Sequence, residues 1–224
     1  MLKKKSLKKI ALLLFSVMIS IPLVNSVSAI ENSKQNMENI ELIDIENDIF
    51  AQNLTETIEI EGIYYNYKYY YNTNGLKSVS ITNLLNSNVD ILTFDEGNTT
   101  IYLNGQEIAY TNTEYDCYSN DEKSSEWTLI AGPAHLKITW KAGATVSVVS
   151  TLIAGALSVP ASAIVQALGS GLTYLASKAE GGTLHFSKYY RDLALGQVQY
   201  KTDWSFVAST GKRFGTYYYY STPQ

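Results

Sequence analysis

The chain has 224 residues, a formal net charge of −4, 46% hydrophobic residues and a single cysteine. One cysteine excludes a small fold held together by internal disulfides, and the acidic balance argues against a nucleic-acid partner. The length is enough for one domain, or two small ones, with a real core.

At the start, Lys3, Lys4, Lys5, Lys8 and Lys9 precede an apolar run from Ile10 to Val24. Val27-Ser28-Ala29 then has the small-residue form of a signal-peptidase site, so residues 1–29 are expected to be a signal peptide. The expected location is therefore secreted and extracellular, with association to the cell envelope left open. Residues 30–56 are polar and acidic (Glu31, Glu38, Glu41, Asp44, Glu46, Asp48) with isolated Ile and Leu, and read as a flexible leader.

From residue 57 to 126 the pattern is that of an antiparallel β-meander. Ile58 to Asn72 alternates apolar with polar residues and then turns tyrosine-rich at Tyr64, Tyr65, Tyr67, Tyr69, Tyr70 and Tyr71, which suits the face of a sheet better than a ligand platform. Asn74-Gly75 supplies a tight turn into Leu76 to Thr82. Asn88 to Phe94 and Thr99 to Leu103 flank a turn at Asp95-Glu96-Gly97-Asn98, and Asn104-Gly105 reverses the chain into Gln106 to Thr111. Glu114 to Glu126 is a hydrophilic loop. Its Asp116, Asn120, Asp121 and Glu122 do not match the twelve-residue calcium loop, so no metal is expected there. Cys117 in the same loop leaves self-association through a covalent dimer open.

Residues 127–224 read as β-strands with an inserted apolar helical hairpin at 142–177. Trp127 to Ile130 and Leu136 to Lys141 lead in; Thr183 to Tyr190, Val198 to Phe206 and Phe214 to Tyr220 follow. The 36 residues from Ala142 to Ser177 hold no Asp, Glu, Lys, Arg or His. Pro160 divides them into two arms. Val148, Val149, Leu152, Ile153 and Leu157 form the bulky stripe of the first, and Ile164, Val165, Leu168, Leu172 and Leu175 that of the second. Gly155 and Gly171 fall on the small-residue side, where a lysine at Gly155 is expected to spare the fold better than one in a stripe. Arms of about 14 to 16 residues reach only about 21 to 24 Å, short of the roughly 30 Å of a bilayer core. A closed hairpin therefore cannot span. It either fills the core of a soluble α+β domain, its bulky stripes on the sheet, or serves to enter lipid.

Charge divides along the chain. Residues 30–126 carry 18 acidic and 4 basic side chains, whereas residues 127–224 carry 3 acidic and 8 basic. Either an acidic front half keeps a cationic, apolar back half in solution, or the acids are simply a solvated face. No catalytic constellation, cofactor motif, metal site or obligate small-molecule ligand is recognised, and His135 and His185 stand far apart in sequence.

A signal peptide, an acidic leader and an apolar Gly/Ala-rich stretch flanked by Trp140, Lys141 and Lys178 among aromatic strands resembles the large secreted bacteriocins of Gram-positive bacteria, of the geobacillin type. The resemblance implies an antibacterial protein acting on bacterial membrane lipid. Trp140, Lys141, Val148, Leu152, Leu168, Leu172, Tyr174 and Lys178 are the expected membrane-contact residues, because they lie on the bulky stripes or at the outer ends of the arms. The alternative is a secreted or envelope-associated, non-enzymatic binding protein in which the hairpin is a core element.

Overall fold

The computed structural model describes residues 48–115, 126–141 and 144–222. The expected signal peptide, the leader up to residue 47 and the loop residues Asp116, Cys117, Asn120, Asp121 and Glu122 lie outside the described residues.

Among the described residues ten strands pair in chain order, each antiparallel to the next. They are β1 (Thr55–Ile60), β2 (Ile63–Tyr71), β3 (Lys77–Asn83), β4 (Val89–Asp95), β5 (Thr100–Leu103), β6 (Gln106–Tyr115), β7 (Thr128–Trp140), β8 (Gly181–Asp192), β9 (Val198–Ala208) and β10 (Arg213–Ser221). The local chemistry of the turns explains the order. Asn104 and Gly105 both take positive φ (52° and 79°), the two-residue turn whose twist matches an antiparallel ribbon. Glu61 and Gly62 do the same (52° and 80°), so the single strand expected from Ile58 to Asn72 is two strands folded back on each other. At the next turn Asn72 Oδ1 accepts from the backbone of Asn74 and Leu76. The two short strands expected before the helices are one long strand, β7, irregular around Ala131 and Ala134. Its pairing with β6 joins the strands of both halves into one sheet.

Alternate residues of all ten strands contribute to a single hydrophobic core. Strand β9 shows the alternation most plainly, with Tyr200, Thr202, Trp204, Phe206 and Ala208 buried and their neighbours partly open. Ile58, Tyr67, Val79, Leu92, Ile101, Ile138 and Leu184 carry the same core across the other strands. A twisted sheet of about ten strands curls on itself. Here it curls around the helices inserted between β7 and β8.

Those helices are α1 (Val146–Leu157), α2 (Ala161–Leu168) and α3 (Gly171–Lys178). Thr145 caps α1, accepting from Val148 N at 3.3 Å, and Ser158 ends it in the left-handed region at φ 54°. The second arm is two short helices rather than one: the backbone turns at Gly169 (φ 50°, ψ −126°), a conformation suited to glycine. Helix α1 is buried on every side, from Ser147 to Gly155 without a break, and packs on β3 and β4 as well as on α2 and α3. Helix α2 touches both β1 and β10, the two edges of the sheet. The sheet thus wraps α1, and α2 stands where its edges approach each other. The whole is α+β, with a β-rich outer layer.

The leader does not extend as far as residue 56. Ile49 and Phe50 are buried, and the Phe50 ring meets Tyr69 edge-on at 5.6 Å and Phe94 at 6.5 Å. Ile49 and Phe50, inside the stretch read as leader, belong to the core.

Candidate functional site

The uncharged helices were singled out by the sequence, and the structure places their marked residues in two groups. Trp140, Val148, Leu152, Leu168 and Leu172 are all buried, at 0–6% exposure. Tyr174 is half-buried, while Lys141 and Lys178 are exposed at the outer ends of the insertion. Trp140 pins the two ends together: its indole N–H donates to Ala179 O at 3.0 Å, and its ring stacks on Phe206. Lys141 Nζ donates to Glu107 O at 2.8 Å.

Gly155 overturns one expectation. It sits on α1 directly under the Phe94 ring, and a Cβ there would overlap that ring, so a lysine at this position cannot spare the fold. The small side of α1 is where β4 packs. Gly171 is likewise close to a ring, that of Phe214.

Besides apolar contact, a few polar ties hold the outer helices. The Tyr69 hydroxyl donates to Glu56 Oε1 at 2.6 Å and accepts from Ala161 N at 2.7 Å, so it satisfies the first free amide of α2. Ser162 N points at the same Glu56 oxygen, at 3.4 Å. Thr173 Oγ1 donates to Glu61 Oε1 at 2.8 Å, and the Tyr174 hydroxyl meets Thr210 Oγ1 at 3.0 Å. Lys212 Nζ lies 4.1 Å from the Tyr174 ring centre. These contacts join α2 and α3 to the β1–β2 ribbon on one side and the β9–β10 ribbon on the other.

Among the described residues, burial perturbs several tyrosine hydroxyls. Burial, and then the charge of Glu56, push the Tyr69 hydroxyl well above the usual tyrosine range; burial does the same to Tyr67, opposed by the Ser150 and Thr151 hydroxyls beside it. The Tyr67 oxygen has no hydrogen bond of good geometry among the described residues; the Ser150 and Thr151 hydroxyls beside it both donate to Ser147 O. Of the tyrosine cluster, Tyr67 and Tyr69 are fully buried, whereas Tyr64 and Tyr71 are open to solvent.

A cavity of about 480 Å³ opens where α1 turns into α2. Leu157 and Val159 of the turn and Ile49 give it an apolar side, and Tyr71, Lys77, Lys188, Tyr200, Thr202 and Tyr219 a polar one. Lys77 Nζ reaches Glu96 at 2.9 Å and Ser158 Oγ at 3.3 Å. Sequence reading found no site here, because its residues come from β2, β3, β8, β9, β10 and a helix turn.

It also kept the two histidines apart. His135 and His185 are direct cross-strand partners on β7 and β8, their rings perpendicular with centres 4.4 Å apart and their Nδ1 atoms in contact. Only the β-sheet register could have shown this. Among the described residues no group of three or more His, Cys, Asp or Glu is arranged to hold a metal ion.

Comparison with protein-family models, with curated proteins and with solved structures found no match.

Proposed function

We propose that the protein is a secreted, bacteriocin-like antibacterial protein whose apolar helical hairpin, Ala142 to Ser177, acts on bacterial membranes. The observation that carries the reading is the uncharged stretch between Lys141 and Lys178. No single helix among the described residues is long and apolar enough to cross a membrane, but α1 and α2 together have the length and composition of a broken span, bent by 115°. In this reading the sheet is a sheath. Lipid chains offer α1 contacts about as apolar as those it makes with β3 and β4, so release is governed by the polar ties at Glu56, Glu61 and Tyr174. Trp140 and Tyr174 supply rings suited to the bilayer interface, and Lys141 and Lys178 charges suited to anionic headgroups.

The test is dye release from anionic liposomes, beside growth inhibition of Gram-positive bacteria, for the mature chain and for Gln166→Asp. Gln166 is exposed on α2, so the substitution leaves the soluble fold in place. An acidic residue in the middle of the second arm costs up to about 2.5 to 3.5 kcal/mol on insertion scales, so leakage should fall about ten-fold or more. Equal leakage from a folded variant, or none from the parent chain at any lipid composition, defeats the reading.

A second reading, a secreted binding protein with the helices as permanent core, draws support from the cavity at the α1–α2 turn. It predicts ligand capture without leakage.

A further inference from the structure

The chain has two histidines, and the fold puts them side by side. His135 on β7 and His185 on β8 are direct partners in the ladder although fifty residues separate them in sequence. Their neighbours along each strand fix which way they face. Ala134, Leu136 and Leu184 are buried and Phe186 packs on the core, so the alternation of a strand turns both imidazoles to the outer face of the sheet. Both are half-buried there and keep contact with solvent. The rings stand at 80° to each other with centres 4.4 Å apart, and the two Nδ1 atoms meet. Strands β6 and β9 flank the pair, and β7 and β8 stay in register from Ala134 to Thr139, so the backbone holds this geometry in place. The next residue in the row, Ser205 on β9, is a small one.

Two imidazole nitrogens converging on one point from different strands form a chelate for a transition metal ion. We propose that His135 and His185 together bind a zinc ion through their Nδ1 atoms, as a cross-strand staple between β7 and β8. In the metal-free pair one Nδ1 carries a proton and donates it to the other. On binding, that proton passes through water to Nε2 of the same ring, both Nδ1 lone pairs go to the metal, and no net proton is released. The nitrogens part only to the spacing set by two Zn–N bonds of about 2.0–2.1 Å. Imidazole suits zinc, nickel and copper, whereas calcium and magnesium take oxygen. No third His, Cys, Asp or Glu is grouped with the pair among the described residues, so water fills the remaining positions and the ion exchanges freely. The site does not require the rings to be otherwise free: it uses Nδ1 alone, and a partner on the second nitrogen steadies a ligating ring. It belongs to the sheet and does not depend on the helices entering lipid.

The experiment is titration of the untagged, isotope-labelled mature chain with zinc chloride, followed by proton–nitrogen correlation spectra of the imidazoles and by calorimetry. With no other histidine in the chain, every imidazole signal belongs to the pair. At saturation, with one ion per chain, both Nδ1 resonances should move to metal-bound positions while both Nε2 atoms carry protons. Magnesium chloride should move neither. His135→Asn and His185→Asn should each weaken zinc binding about ten-fold or more, because each removes one of two protein ligands, and Cys117→Ser should leave it unchanged. Zinc should raise the melting temperature of the parent chain and of neither histidine variant, as a ligand held only by the folded state does. Nδ1 resonances that stay in place at millimolar zinc, or a shift confined to one ring, overturn the proposal, as does equal affinity in His185→Asn. The spectra are read on the parent chain, so the answer stands even where a variant folds poorly, and absence of leakage in the liposome test above leaves it untouched.

Discussion

Two buried tyrosines make different predictions at neutral pH and the same one at alkaline pH. Tyr69 uses its hydroxyl twice, on Glu56 and Ala161 N, so Tyr69→Phe strands a helix amide and should cost about 1–3 kcal/mol at pH 7. Tyr67 has no well-formed partner, so Tyr67→Phe should cost little there. Both have folded-state pKa values raised above the unfolded value, which is about 10. Their contribution is therefore complete below pH about 10 and is lost as pH rises above it, by about 1.4 kcal/mol per pH unit for each tyrosine while the folded form stays neutral. Urea unfolding between pH 9 and 12 should show a shallower decline for Tyr67→Phe than for the parent chain; identical slopes would mean the ring is not in the core. Gly155 gives a steric counterpart. Gly155→Ala drives a methyl into the Phe94 ring and should cost about 1–3 kcal/mol, lowering the melting temperature by about 2–4 °C per kcal/mol, and Phe94→Leu in the same chain should recover part of that loss.

At the scale of elements, the part of the structure that rests on local chemistry was legible and the part that rests on register was not. Asn104-Gly105 announced its hairpin, and the alternation in Val198 to Phe206 announced β9, because turn preference and period two act within a few residues. The hairpin at Glu61-Gly62 was missed although Gly62 marked it, since tyrosine-rich alternation continued across it and read as one strand. The stripe from Ile164 to Leu175 keeps helical spacing through Gly169, so the break there was hidden by the very pattern that predicted the helix. The cavity and the His135–His185 pair depend on which strands lie side by side, and no local window contains that.

The tie at the start of α2 is a test of whether the helices are separately releasable. Glu56 and Tyr69 come from the first two strands and hold a helix about a hundred residues away in sequence. If α2 and α3 form a unit of lower stability than the sheet, Tyr69→Phe should raise amide exchange in residues 161–178 while β7 to β9 stay protected. Loss spread evenly over the sheet would instead make the helices one cooperative unit with it.

Among the described residues, the sheet is rolled about α1, with its first and last strands unpaired to each other and α2 between them. This arrangement is a consequence of chain order: every strand has its neighbours in sequence beside it, so closure is left to the segment inserted between β7 and β8. Opening the seam need not break a single strand pair. It requires α2 and α3 to leave, and the tie between Thr173 and Glu61 is one place where they can be prevented from doing so. In a Cys117→Ser background, Glu61→Cys with Thr173→Cys, joined by a short reducible cross-linker, should therefore give a fully folded protein that neither leaks liposomes nor inhibits growth. Reduction should restore both. Each single cysteine treated alike loses the tie but leaves the helices free to go, so it should leak and inhibit at least as strongly as the parent chain, which separates the cross-link from the substitutions. Leakage that persists in the cross-linked, folded protein would show that the helices need not leave the sheet, and the reading of the sheet as a sheath would fail with it.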